Sequence, residues 1–271
     1  MTRKHFFPGT RRRAAFALAT LAAVVLPAAC TPSTHGISSH DVVFDNIHYR
    51  VATVDTAKAE LGLHWLDPAT GKPFSSIHAL QQWGAANGRQ LLFAANAGIY
   101  DAQGEPLGLY VEDGKVLKPL NTAHGNPASG NFSLLPNGVF AIDANGRASV
   151  QTTEAFDAAH MQPRWATQSG PMLVIDGKIN PNFDAGSDST KWRSGVCAPK
   201  PNEVVFAVST APVNFHEFAR LFRDKLGCRN ALYLDGTLSQ IYVDGDYYGA
   251  PAFMVKPYAG MFAVFAPTSR D

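Results

Sequence analysis

Four short segments combine polar side chains with glycine in a way that ordinary turns do not require. They are N-A-G-I-Y-D (96–101), Q-S-G-P (168–171), W-R-S-G-V (192–196) and Y-L-D-G-T-L-S (233–239). Together they offer an amide at Asn96, a phenol at Tyr100, an amide and a hydroxyl at Gln168 and Ser169, a guanidinium at Arg193 and a carboxylate at Asp235. Asp101 is the second carboxylate candidate. Glycine lets a ligand approach the main chain closely and leaves amide donors available. Arg193 can fork onto a phosphate or carboxylate, and Asp235 can serve as a base or stabilise developing positive charge. Each residue also has a plain structural use. Arg193 suits a surface salt bridge, Asp235 a turn, and Gln168 and Ser169 can satisfy backbone groups.

Other chemistries lack their signatures. No G-x-S-x-G surrounds Ser169 or Ser239, so a nucleophile elbow is not indicated. The nine histidines form no H-x-x-x-H or His/Cys cluster, and His216 in F-H-E-F belongs on an amphipathic helix. Neither a phosphate-binding G-x-x-x-x-G-K-[ST] loop nor a dinucleotide fingerprint is present. No metal site is assigned and no cofactor is expected; a divalent ion is left open.

The elements that must position these groups are mostly strands. I-H-Y-R-V-A-T-V and L-G-L-H-W-L alternate, while L-L-F-A-A-N and E-V-V-F-A-V-S are continuous apolar runs of the kind covered on both faces. G-L-Y-V-E-D-G-K-V and M-L-V-I-D-G-K-I share a hairpin formula with an Asp-Gly turn, and P-N-G-V-F-A-I-D-A-N-G-R-A adds turns of the same kind. Ser75 and Ser76 can cap a helix ending at Gly88, and Asn214 with Glu217 caps another ending at Gly227. The second helix leads into A-L-Y-L-D and completes a β-α-β unit. Both helix-to-strand passages exit into a polar residue near glycine, Asn96 or Asp235, where ligands collect at carboxyl ends of strands. The chain reads as α+β or α/β, a single domain around a mixed, strand-rich sheet with few helices and many hairpins.

Residues 1–30 read as an export signal. Arg11–Arg13 form a basic region, A-A-F-A-L-A-T-L-A-A-V-V-L a short apolar one, and L-P-A-A-C a small-residue end. Cys30 is the candidate lipidated residue of an anchored protein; Pro27, where leucine is usual, keeps plain cleavage beside Ala29 open. The expected location is the periplasm or cell envelope. Residues 31–41 read as a polar tether and 42–267 as the domain. The chain has 23 Lys+Arg against 22 Asp+Glu. Five basic residues and no acidic ones leave with the signal, so 18 stand against 22 and the mature net charge is −4. No basic stripe remains, which argues against nucleic acid as a partner. Cys197 and Cys228 are then the remaining cysteines in an oxidising compartment, where a disulfide and two buried thiols are both open readings.

N-A-G-I-Y, Q-S-G-P-M-L-V, R-S-G-V and A-L-Y-L-D-G-T-L-S, in this order, resemble the phosphodiester glycosidase family. Its lysosomal member removes N-acetylglucosamine from a phosphodiester link to mannose 6-phosphate. The resemblance covers roughly Val42 to Ala266 and is closest to bacterial envelope members. Asn96, Gly98, Gln168, Gly170, Arg193, Asp235, Gly236 and Ser239 match the family's motifs. The chain departs from them at N-A-G-I-Y, where N-G-G-F-F is usual, and at D-G-T-L-S, which lacks two glycines of D-G-G-G-S-S. The resemblance implies an exported hydrolase cleaving the glycosidic bond of a sugar 1-phosphodiester through an oxocarbenium-like state. A phosphate monoester leaves more readily than a sugar alkoxide, which suits a site with one evident carboxylate. Asp235 is then the base or charge stabiliser and Arg193 the phosphate clamp, with Gln168 and Ser169 bonding sugar or phosphate. On this view Asn96, Gln168, Arg193 and Asp235 line one cleft, Arg193 holds Asp235 ionised, and Arg193→Ala leaves the fold intact. Arg193 and Asp235 on opposite faces of the sheet would rule that mechanism out. The alternative is a non-catalytic envelope module that binds a sugar-phosphate polymer, with Trp192 or Tyr100 as its platform.

Overall fold

Paired left-handed residues set much of the architecture. Asp45-Asn46, Asp113-Gly114, Asp176-Gly177 and Asp244-Gly245 each have positive φ at both positions. That geometry matches the twist of the strands which a two-residue loop must join. These turns connect Ile37–Phe44 to Ile47–Asp55, Tyr110–Glu112 to Lys115–Lys118, Met172–Ile175 to Lys178–Ile179, and Gln240–Val243 to Asp246–Gly249.

The computed structural model describes residues 35–123, 127–254 and 257–267, together with Met1, Thr2 and His5. Nearly all of the export-signal segment, Cys30 included, lies outside the described residues. Ordered structure begins earlier than the sequence suggests, because the supposed tether through residue 41 already contains the strand Ile37–Phe44. Its polar residues are not solvated spacer. Arg50 donates to Ser39 Oγ at 2.5 Å and to Asp41 Oδ1 at 3.3 Å from the neighbouring strand.

The strands divide among three sheets rather than one, and every ladder among the described residues is antiparallel. The largest has seven strands, in spatial order Ile37–Phe44, Ile47–Asp55, Glu203–Ser209, Arg193–Lys200, Ala231–Gly236, Met172–Ile175 and Lys178–Ile179. The β-α-β unit runs from Glu203–Ser209 through the helix Phe215–Arg220 and a π-helical turn, Leu221–Lys225, to Ala231–Gly236. Its two strands are parallel, with Arg193–Lys200 antiparallel to both between them. A second sheet carries Leu91–Asn96 between Gln240–Val243 and Met261–Phe265, and a third carries Trp165–Ser169 between Tyr110–Glu112 and Gly138–Ile142. The sheets meet on an aromatic chain. Phe206 lies 4.9 Å from Phe93 and 5.0 Å from Phe262, and Phe262 lies 5.2 Å from Phe140. All four rings are fully buried, each worth about 1.5–3 kcal/mol of burial.

The helix Ile77–Ala86 starts at Ser76, whose side chain accepts from Ala79 N. Asn214 and Glu217 form the reciprocal capping box on the helix Phe215–Arg220. A disulfide joins Cys197 to Cys228 with Cα atoms 6.2 Å apart, tying Arg193–Lys200 to the turn that feeds Ala231–Gly236.

His64 marks a pH dependence in the core. It sits among Trp83, Trp165 and Phe265, and burial, with Arg89 nearby, lowers its pKa to about 4. Between that value and the unfolded 6.5 the unfolded chain binds the extra proton, so stability is full above 6.5 and is lost as pH falls towards 4. The melting temperature of His64→Phe minus that of the native chain should therefore grow from pH 7 to pH 4.5, reflecting about 2 kcal/mol. A difference independent of pH would show that the imidazole is not held neutral.

Candidate active site

The four polar segments converge through direct contacts. Asn96, at the end of Leu91–Asn96, is buried and donates from Nδ2 to Ser194 Oγ at 2.9 Å. Its Oδ1 accepts from Gln240 N at 3.1 Å and Ser194 Oγ at 3.2 Å. Ser169 Oγ accepts from Ile99 N at 3.2 Å and donates to Leu234 O at 3.2 Å. In the central sheet Ser194 pairs with Asp235 and Arg193 with Gly236. Three matched glycines stand where a β-carbon would collide. Gly98 would meet Gln168 O at 2.5 Å, Gly170 the Asn137 side chain, and Gly236 the Tyr233 hydroxyl.

The side chains do not all converge with their segments. Cross-strand partners share a face and successive residues alternate, so Asp235 leaves with Ser194 and Arg193 leaves on the opposite face. Arg193 is almost fully buried there. Its Nε donates to Val213 O at 2.8 Å and Nη2 to Ser189 O at 2.9 Å, while the guanidinium lies 3.6 Å over the Phe215 ring. Burial lowers its pKa, while the Tyr233 phenol and the Glu217 carboxylate favour the charged form, and among the described residues Nη1 has no hydrogen-bond partner. Arg193 therefore neither faces Asp235 nor holds it ionised, and the opposite faces rule out the expected mechanism in which Arg193 clamps the phosphate beside Asp235. Two carbonyl acceptors, the face of an aromatic ring and the Glu217 carboxylate together accommodate the cation in the core.

Gln168 is likewise committed to the fold. Oε1 accepts from Leu109 N at 3.0 Å and Asn121 N at 2.9 Å, and Nε2 donates to Asn121 O at 2.8 Å and Thr153 Oγ1 at 3.0 Å. Those four bonds fill the ordinary capacity of an amide, leaving nothing for a sugar. Asp101 Oδ1 accepts from Gln103 N and Glu105 N, both at 2.9 Å, and so shapes its own turn.

Asp235 differs from all of these. It is half-buried at the end of Ala231–Gly236, its carboxylate accepts, among the described residues, only from the adjacent Gly236 N, at 2.6 Å, and burial pushes its pKa up to about 7. Its charge is felt by the Tyr100 phenol, raised to about 12 mainly by burial, and by the Tyr258 phenol, also raised mainly by burial. Tyr258 donates to Leu238 O at 2.7 Å, and Ser239 Oγ to Asp235 O at 2.6 Å, which fixes the turn beyond the carboxylate. A carboxylate poised near neutrality on the side of the Asn96–Ser194 pair can exchange a proton with a substrate or water. Sequence reasoning did not single out Ser194, the hydrogen-bond partner of Asn96. Ser194 was legible as a polar residue inside an apolar strand. Lys191 is exposed at the same strand end but on the Arg193 side, since a β-carbon on Gly236, the cross-strand partner of Arg193, would meet its Cβ at 3.6 Å.

The sequence model of the phosphodiester glycosidase family matches residues 89–265, a span that contains all four segments. The chain belongs to the phosphodiester glycosidase family. This phosphodiester glycosidase homologue is 36% identical over 212 residues to the uncharacterized protein YigE of Escherichia coli (strain K12), covering 78% of this chain and 80% of that protein. Its fold is similar to that of the catalytic domain of zebrafish N-acetylglucosamine-1-phosphodiester alpha-N-acetylglucosaminidase, auto-inhibited by its pro-peptide. There the TM-score is 0.57 at 17% identity, over 89% of this chain and 87% of that one. A hypothetical protein from Synechocystis is similar with a TM-score of 0.57 at 15% identity, over 90% of this chain but 65% of that one. At these identities the likeness to the solved structures is one of fold.

Proposed function

We propose that this chain is an exported hydrolase that cleaves the glycosidic bond of a sugar 1-phosphodiester in an envelope or exopolysaccharide-type glycan. The observation that carries the reading is Asp235, a half-buried carboxylate at a strand end with a pKa of about 7, in a chain of the phosphodiester glycosidase family. As the C1–O bond breaks, its electron pair passes to the phosphate oxygen and the sugar becomes oxocarbenium-like. Water adds to C1 and gives its proton to Asp235. Arg193 is buried away from this face, so the phosphate departs without a guanidinium clamp. The reading places the mature protein in the periplasm, either free or anchored through lipid on Cys30.

A panel of chromogenic sugar 1-phosphodiesters, assayed with the native chain and Asp235→Asn, tests the reading. Turnover lost in the variant supports it. Saturable binding without turnover would instead make the protein a sugar-phosphate-binding module.

A further inference from the structure

From Ala231 to Val243 every residue is buried except Asp235 and Thr237. Thr237 is also conformationally unusual. Its φ is 44°, and Leu238 N donates to Gly236 O across it, a γ-turn with a left-handed centre. That form of turn is rare and strained, and a branched β-carbon makes positive φ more costly still. Glycine would adopt the same conformation freely. The turn cannot easily relax, because both sides of it are pinned. Ser239 Oγ donates to Asp235 O at 2.6 Å, Tyr258 donates to Leu238 O at 2.7 Å, and Ala250 N donates to Ser239 O at 2.8 Å. Strained residues held by over-determined surroundings concentrate where a side chain is needed for function.

We propose that Thr237 is a substrate-contacting, specificity-determining residue. Thr237 stands two residues from Asp235 and, like it, is partly open to solvent, and its hydroxyl hydrogen-bonds a sugar hydroxyl or phosphate oxygen of the substrate. The inference rests on the glycosidase reading.

Three variants separate conformation from contact. Thr237→Gly releases the strain and removes the hydroxyl, Thr237→Val keeps the branch without the hydroxyl, and Thr237→Ser keeps the hydroxyl without the methyl. Thr237→Gly should melt about 2–4 °C higher than the native chain. Both Gly and Val variants should lose about tenfold in kcat/KM on the best substrate of the panel, largely through KM, the size expected for one neutral hydrogen bond. Thr237→Ser should stay within about twofold, since it keeps that bond. Unchanged kcat/KM in both Gly and Val variants would overturn the proposal while leaving the glycosidase reading standing. A native chain that neither binds nor hydrolyses any of the panel would overturn both.

Discussion

Asp235→Asn is expected to lower kcat/KM on sugar 1-phosphodiesters by about 10²–10⁴-fold, the range for loss of a positioned acid–base group. The same substitution should stabilise the protein at alkaline pH. The Asp235 pKa is raised from an ordinary 3.8 to about 7, so between those values the native state keeps a proton that the unfolded chain has lost. The stabilisation from that proton is full below 3.8 and disappears as pH rises through 7, leaving an ionised carboxylate in the recess at a cost on the order of a few kcal/mol. Asparagine can still accept from Gly236 N and carries no charge. Asp235→Asn should therefore melt higher than the native chain at pH 8, with the gap closing towards pH 4. For the native enzyme, kcat/KM should rise with pH through about 7 as the base ionises. Equal melting temperatures at pH 8 would show that the carboxylate is well solvated and the raised pKa misplaced.

Arg193→Ala should cost about 3–5 kcal/mol of folding free energy, from two hydrogen bonds to a charged donor and the contact with the Phe215 ring. For a domain of this size that is a fall of about 6–20 °C in melting temperature. Arg193→Lys should recover little of it, since an ammonium lacks the planar fork that reaches Val213 O and Ser189 O while lying on a ring. A phosphate clamp predicts the reverse, with weakened substrate binding and an unchanged melting temperature. Thermal unfolding of the two variants decides between these roles without any substrate.

The contrast between Arg193 and Asp235 shows how far the sequence carries. Hairpins, caps and strand ends were legible because their causes are local. Asp-Gly pairs demand left-handed turns, and Asn214 with Glu217 satisfies a helix start within four residues. The meeting of the four segments was legible too, from glycine beside polar residues at strand ends. The direction of each side chain was not. Gly195 and Tyr233 pair after a shift in register that leaves Leu234 as the extra residue of a bulge, and that one-residue offset sends Asp235 to the face of Ser194. Gln168 resembles a ligand-binding amide until Leu109, Asn121 and Thr153 are folded around it. Thr237 carried a faint signal as a branched residue directly after Asp-Gly, but its φ belongs to the closed loop rather than to any local propensity.

Hydrolysis in ¹⁸O-labelled water tests the central claim most directly. A glycosidase opens the bond at C1, so the label should appear on the anomeric carbon of the released sugar and be absent from the phosphate monoester. Label in the phosphate would mean that the P–O bond is cut instead, and would contradict a mechanism built on Asp235 and an oxocarbenium-like sugar.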